Sequence, residues 1–246
     1  MAEEAKKVEK KEETKKTSTS GDVVKDIWDA FINTISGMYR KPMTTIKSEV
    51  KSSNTRNNLI MLFAVALSFG LSMMTGSKSV LSITLGGVAI NDLVEVPYLK
   101  ILCYATIFYA VISFVPILVS FIISRVMKDD NFDFKKAVAL YASSMSIVIP
   151  ANLLMAVLYG LNFLVWLGTI ILAIVNVMAF FNYVLGYINV NNIKEDKQVG
   201  ALTALIVSWV VVAFIVLCIM VGSISSDMTN GGLHHGTSRY NDLFEW

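Results

Sequence analysis

Five long apolar runs limit what this chain can fold into. They cover approximately Leu59–Thr75, Tyr98–Ser124, Ala137–Tyr159, Asn162–Ile188 and Val199–Ser223, and the only charged residue in any of them is Lys100. A helix that crosses a hydrocarbon core of about 30 Å needs about 20 mostly apolar residues, so each run reads as a transmembrane helix. The first is the shortest and is expected to stand upright or thin the bilayer. The second is long and carries Pro116, which predicts a tilt or kink. The expected fold class is therefore an all-α integral membrane protein with five spans.

Composition agrees and excludes other classes. Apolar residues make up 54 % of the chain and charged residues 16 %, with a mean hydropathy of +0.59. A soluble domain uses roughly 25 % charged residues to cover its surface. Residues 1–57 hold twelve of the 21 Lys and Arg and nine of the 19 Asp and Glu. A net charge of +2 with no basic patch beyond that segment leaves no footprint for nucleic acid. Cys103 and Cys218 both sit in apolar runs, where a thiol packs as a small hydrophobe, so no disulfide framework is expected.

Orientation follows from Lys and Arg on alternate sides. One side collects the N-terminal segment, Arg125, Lys128, Lys135 and Lys136 before the third span, and Lys194 and Lys197 before the fifth, eighteen in all. The other side has Lys78, Lys100 and Arg239. The N-terminus is thus expected in the cytoplasm, the C-terminus outside, and the protein in the cell membrane. Residues 1–20 lack the apolar centre of a cleavable signal, so the first span is expected to direct insertion.

Four units follow. Residues 1–21 are Lys, Glu, Thr and Ser with few apolar side chains, and a segment of that kind stays disordered. Residues 22–57 are amphipathic: Val24, Ile27, Trp28, Phe31, Ile35 and Met38 recur at steps of three and four, which marks one apolar stripe of a helix. Pro42 is expected to end that helix. Residues 58–224 hold the spans, with an external loop at 76–97. There, alternation around Gly86-Gly87 predicts a short β-hairpin. Residues 225–246 form an external tail containing His234 and His235, too few ligands for a metal site.

No Asp, Glu, His or Arg lies inside a span. Proton relays and ion-driven pumps place such residues at membrane depth, and intramembrane hydrolysis needs a base, nucleophile or metal. No catalytic residue, cofactor or metal is expected, and the protein is not read as an enzyme. The interior is instead polar and uncharged. The third span carries Tyr141, Ser143, Ser144, Ser146, Pro150 and Asn152; the fourth carries Ala173, Asn176, Ala179, Asn182 and Gly186 at helical spacing. Pro150 would free the carbonyl of Ser146 and kink the third span. These faces suit close helix packing, and alternatively a cavity for a lipid or small solute.

Three stretches carry a family resemblance. The segment DIWDAFINTISGMYRKPMTTIKSEV (Asp26–Val50) pairs an aromatic helix with a proline, and NFDFKKAVALYASSMSIVIPANLL (Asn131–Leu154) leads from Phe134-Lys135 through Tyr141 and Ser144 to Pro150. The tight turn at Gly160-Leu161 and the last span complete the pattern. Over about residues 26–223 the chain resembles the Yip domain family of five-span membrane proteins, in its bacterial-type branch. The resemblance implies a Yip-like bundle with a long cytoplasmic N-terminus.

The expected function is a non-catalytic membrane protein that recruits or organises other membrane components, with Trp28, Phe31 and Ile35 as its contact surface. The alternative is a small permease or lipid-handling protein using a polar cavity between the third and fourth spans. Expected partners are the lipid bilayer and a membrane or cytoplasmic protein, and no nucleic acid; the small-residue faces also permit a homo-oligomer.

Overall fold

The computed structural model of the protein describes residues 20–81, 84–85, 88–89, 98–127, 131–161, 165–191, 193, 197–211, 214–215 and 218. The expected disordered tail falls almost wholly outside these residues, as does the C-terminal tail at 225–246. In chain order the elements are α1 (Ser20–Arg40), α2 (Pro42–Ser52), α3 (Thr55–Leu81), β1 (Thr84–Leu85), β2 (Val88–Ala89), α4 (Tyr98–Val126), α5 (Phe134–Met145), α6 (Val148–Gly160) and α7 (Val165–Asn191). An eighth helix, α8, covers Lys197–Val211. β1 and β2 pair antiparallel, with Thr84 opposite Ala89 and Leu85 opposite Val88.

Local chemistry places the breaks. Lys41 interrupts α1 and α2 because a residue ahead of proline is pushed out of the helical region, and Pro42 then occupies the first turn of α2, where its missing N–H is no loss. α2 ends at Ser53, which adopts φ 39°, a left-handed cap.

Among the described residues, three helices are long and apolar enough to cross a membrane: Thr55–Ser77, Tyr98–Val126 and Trp166–Asn191. The count of five spans is not reached among the described residues. The third run is two helices, α5 and α6, bent by 41°, and it makes a fourth span only if the pair is taken as one. The fifth run is helical over Lys197–Val211, 15 residues and short for a span, and most of its remainder lies outside the described residues. The first run is longer than its apolar core implied. α3 has 27 residues, about 40 Å of helix. Pro116 lies inside a continuous α4.

The break in the third run has a serine signature. Ser143 Oγ donates to the carbonyls of Ala139 and Leu140, Ser144 Oγ to Leu140, and Ser146 Oγ to Ser143. Hydroxyls that bond back onto the previous turn compete with the helical ladder and bend it. The backbone then tightens to three-residue bonds, Ser146 N to Ser143 O and Ile149 N to Ser146 O, both 3.2 Å. Pro150 is the third residue of α6, so it starts a new helix instead of kinking an old one.

α5 is the centre of the molecule. Ala137 to Ile149 are buried without exception, enclosed by α2, α3, α4 and α7, as expected for a helix apolar on all sides. α3 packs along both α4 and α6, and α6 along α7. Apolar side chains such as Leu99, Ile107 and Val111 on α4 and Trp166, Ile174 and Phe181 on α7 are exposed, as they would be on surfaces that a membrane covers.

Candidate functional site

The segment ahead of α3 is folded onto the bundle. Ile46 and Val50 of α2 and Met38 of α1 are buried. A Cβ on Gly186 of α7 would lie 3.1 Å from Ile46 and 3.0 Å from Leu140, so α2 and α5 both pack tightly against α7 at this glycine. Thr34 Oγ1 lies 2.9 Å from the carbonyl of Ala30 and 3.0 Å from Glu49 Oε1, joining α1 to α2. Tyr39 OH donates to the carbonyl of Ile147 at 2.9 Å, inside the break between α5 and α6. Partial burial raises the pKa of this phenol above its ordinary value of 10.0, which keeps it a donor.

The apolar stripe of α1 is wider than the surface it packs on. Phe31 and Ile35 are half-buried against the core, whereas Val24 is 64 % and Trp28 61 % exposed, with Ile32 also exposed. Trp28 stacks on Phe31 with ring centroids 5.8 Å apart. Of the three residues expected to form a contact surface, Trp28 is outward and Phe31 and Ile35 anchor the helix. Ile32 and Val24 extend the outward edge.

A cleft of about 20 Å³ opens beneath α1, large enough for about one water-sized group. Its polar lining is Thr34 from α1, Glu49 from α2, Asn57 and Asn58 from the first turn of α3, and Ser143 from α5; Phe31 supplies an apolar wall. Among the described residues, Asn57 Oδ1 and Asn58 Nδ2 are buried with no hydrogen-bond partner, and Asn58 is only 4 % exposed. Sequence reading missed this cluster because its members come from four helices. The one available signal was an Asn-Asn pair just ahead of an apolar run.

The polar residues of the third and fourth spans do not converge. Ser143, Ser144 and Ser146 are buried and spend their protons on their own backbone. Asn152 is buried and donates to Ser68 of α3 at 3.1 Å. Asn176 is exposed and donates to Leu172 of its own helix. Asn182 and Pro150 are half-buried. Tyr141 turns the other way and donates to Ser113 of α4 at 3.2 Å.

That last contact belongs to a seam unforeseen from the sequence. Tyr183 OH donates to the carbonyl of Pro116 at 2.6 Å, and Ser124 and Tyr187 share a 2.7 Å bond. Ser113, Pro116, Ser120 and Ser124 recur at steps of three and four, one face of α4, and this spacing was the legible sign. Trp209 of α8 packs on the rings of Tyr141, Phe180 and Tyr183. The seam is chemically suited to holding α4 against α5 and α7.

No curated protein and no solved structure matches the chain. A family model, described as a domain of unknown function (DUF6574), matches residues 17–229. The expected membership of the Yip domain family is thereby corrected, since the model that matches is a different one. The residues behind that resemblance, Phe134, Lys135, Tyr141, Ser144 and Pro150, are of kinds that helix starts and close packing select in many unrelated bundles, and Tyr141 and Ser144 are core residues here. The chain belongs to the DUF6574 family.

Proposed function

We propose that this protein is a non-catalytic polytopic protein of the cell membrane, its N-terminus cytoplasmic, that recruits or organises another membrane component through α1. The observation that carries the reading is the division of the α1 stripe. Met38 and the Tyr39 phenol fasten the helix to the bundle, while Val24, Trp28 and Ile32 stay exposed as an apolar edge. An exposed aromatic held on a rigid support suits an anchor for a partner. The distribution of Lys and Arg supports the side on which that edge lies.

A photo-crosslinking amino acid at position 28 in the full chain tests the reading in native membranes. The expected result is one protein species crosslinked from position 28 and lost when Val24→Glu and Ile32→Glu are added. Crosslinks to lipid alone, or a protein crosslink indifferent to those charges, would overturn it. The same membranes, probed by labelling of a cysteine placed at position 21, report whether the N-terminal side is cytoplasmic.

A further inference from the structure

We propose that the outward face of α2 rests on the anionic head groups of the lipid leaflet on the N-terminal side of the protein. Arg40 and Lys41 at the junction with α1, Lys47 and Lys51 on α2, and Arg56 in the first turn of α3 are all exposed, and Glu49 is the one acid in residues 40–56. None of these five cations has an ion-pair partner among the described residues. Glu49 lies on the α1 side of the helix, where its carboxylate is met by the Thr34 hydroxyl. The helix is fixed with its basic face outward. Ile46 and Val50 are buried, and Lys47 and Lys51 each follow one of them by a single residue, a step of about 100° around the axis. The two lysines therefore stand one turn apart on a face they share with Thr44 and Ser48, which are exposed as well.

The level of that face is set by what lies beneath it. Ile46 packs where Leu140 and Gly186 come together. Leu140 is in the second turn of α5 and Gly186 in the second-last turn of α7, and the apolar run of α3 starts one turn into that helix, at Leu59. α2 thus runs beside the near ends of three apolar helices, which is the level of lipid head groups when α3 and α7 are read as spans. Orienting a chain during insertion needs only the count of Lys and Arg. A head-group contact needs them on a fixed, exposed face, and the burial of Ile46 and Val50 supplies one. An anionic leaflet attracts each Lys or Arg held at its surface. The five cations form a row and not a cradle, which suits a plane of singly charged head groups better than one multiply charged phosphate. α1 has the opposite balance, Asp22, Asp26 and Asp29 against Lys25, so the same surface repels it and leaves the Trp28 edge to a protein. The inference shares with the proposed function only the membrane crossing of the apolar helices, and its variants leave Trp28 untouched.

The test uses the full chain in nanodiscs of phosphatidylcholine with minor, equal amounts of phosphatidylglycerol and phosphatidylethanolamine, and retained lipid is read by native mass spectrometry. The native chain should retain phosphatidylglycerol about fivefold over phosphatidylethanolamine, the equivalent of one such cation contact, and less so at raised salt. Lys47→Gln with Lys51→Gln should remove most of the preference, and Lys47→Arg with Lys51→Arg should keep it. Lys25→Gln with Lys197→Gln, an equal loss of charge at exposed positions off α2, should leave it standing. A photo-crosslinking amino acid at position 44 in native membranes should capture lipid. No preference for phosphatidylglycerol, a preference indifferent to the α2 pair, or an equal fall in the Lys25 and Lys197 control overturns the proposal. Protein captured from position 44 in place of lipid also overturns it and assigns the face to an acidic partner. A chain that does not enter nanodiscs overturns it together with the membrane reading, whereas loss of the position 28 crosslink alone counts only against the α1 contact surface.

Discussion

Tyr39, in the last turn of α1, donates its phenol at 2.9 Å to the main-chain carbonyl of Ile147, in the two-residue gap between α5 and α6. Ile147 is the N-cap residue of α6, and its carbonyl is met by a side chain 108 positions away. The amphipathic segment is therefore tied to the one break in the central rod. Tyr39→Phe should destabilise the fold by about 1 kcal/mol and speed proteolysis between α1 and α2. Equal cleavage rates in the two proteins would show that the bond does not hold the segment.

The same contact has a pH signature. Tyr39 is neutral when it donates, and burial sets its folded pKa above the usual 10.0. Its contribution is thus fully present below the unfolded value and is lost as pH rises through the folded one. The stability difference between the native chain and Tyr39→Phe should shrink across that alkaline window. Melting curves of both proteins on either side of pH 10.0 measure it.

Substitutions on the two edges of the α1–α2 layer should behave oppositely. Ile46 is fully buried against Leu140 and Gly186, and Ile46→Ala should cost about 2–5 kcal/mol. Val24→Glu, on the exposed edge, should change stability by no more than about 0.5 kcal/mol. Thermal unfolding in detergent separates the two.

Gly70 marks a close approach of α3 to α4. A Cβ there would lie 2.8 Å from the backbone carbonyl of Leu102 and would also meet the Thr106 hydroxyl. Backbone cannot step aside as a long side chain can, so Gly70→Ala should destabilise by about 1–3 kcal/mol. An unchanged melting temperature would mean that the two helices separate without penalty.

Ser53 holds a left-handed conformation, φ 39° and ψ 42°, that costs an L-residue about 1–2 kcal/mol and costs glycine almost nothing. Ser53→Gly should raise the melting temperature. A decrease would indicate that the serine side chain does more than cap α2.

Much of this architecture was legible in the chain itself. Apolar runs of 17 to 27 residues, with Lys100 their one charge, determined that α3, α4 and α7 are long apolar helices, because buried or lipid-facing helices have few places for a charge. The three-four spacing from Val24 to Met38 determined the amphipathic α1, and Pro42 its end. Tertiary structure decided the rest. Ser143, Ser144 and Ser146 read as a face for close helix packing or, alternatively, a cavity lining, yet each hydroxyl has a carbonyl of the preceding turn at less than 3 Å, a local competition that favours the break in the third run. Which part of the α1 stripe is hidden was set by how α1 packs on α2, α3 and α5, which a helical period does not encode. The Glu49, Asn57, Asn58 and Ser143 cluster was illegible for the same reason. A periodic pattern records which side of one helix is apolar, whereas a site built from four helices exists only once their packing brings the pieces together.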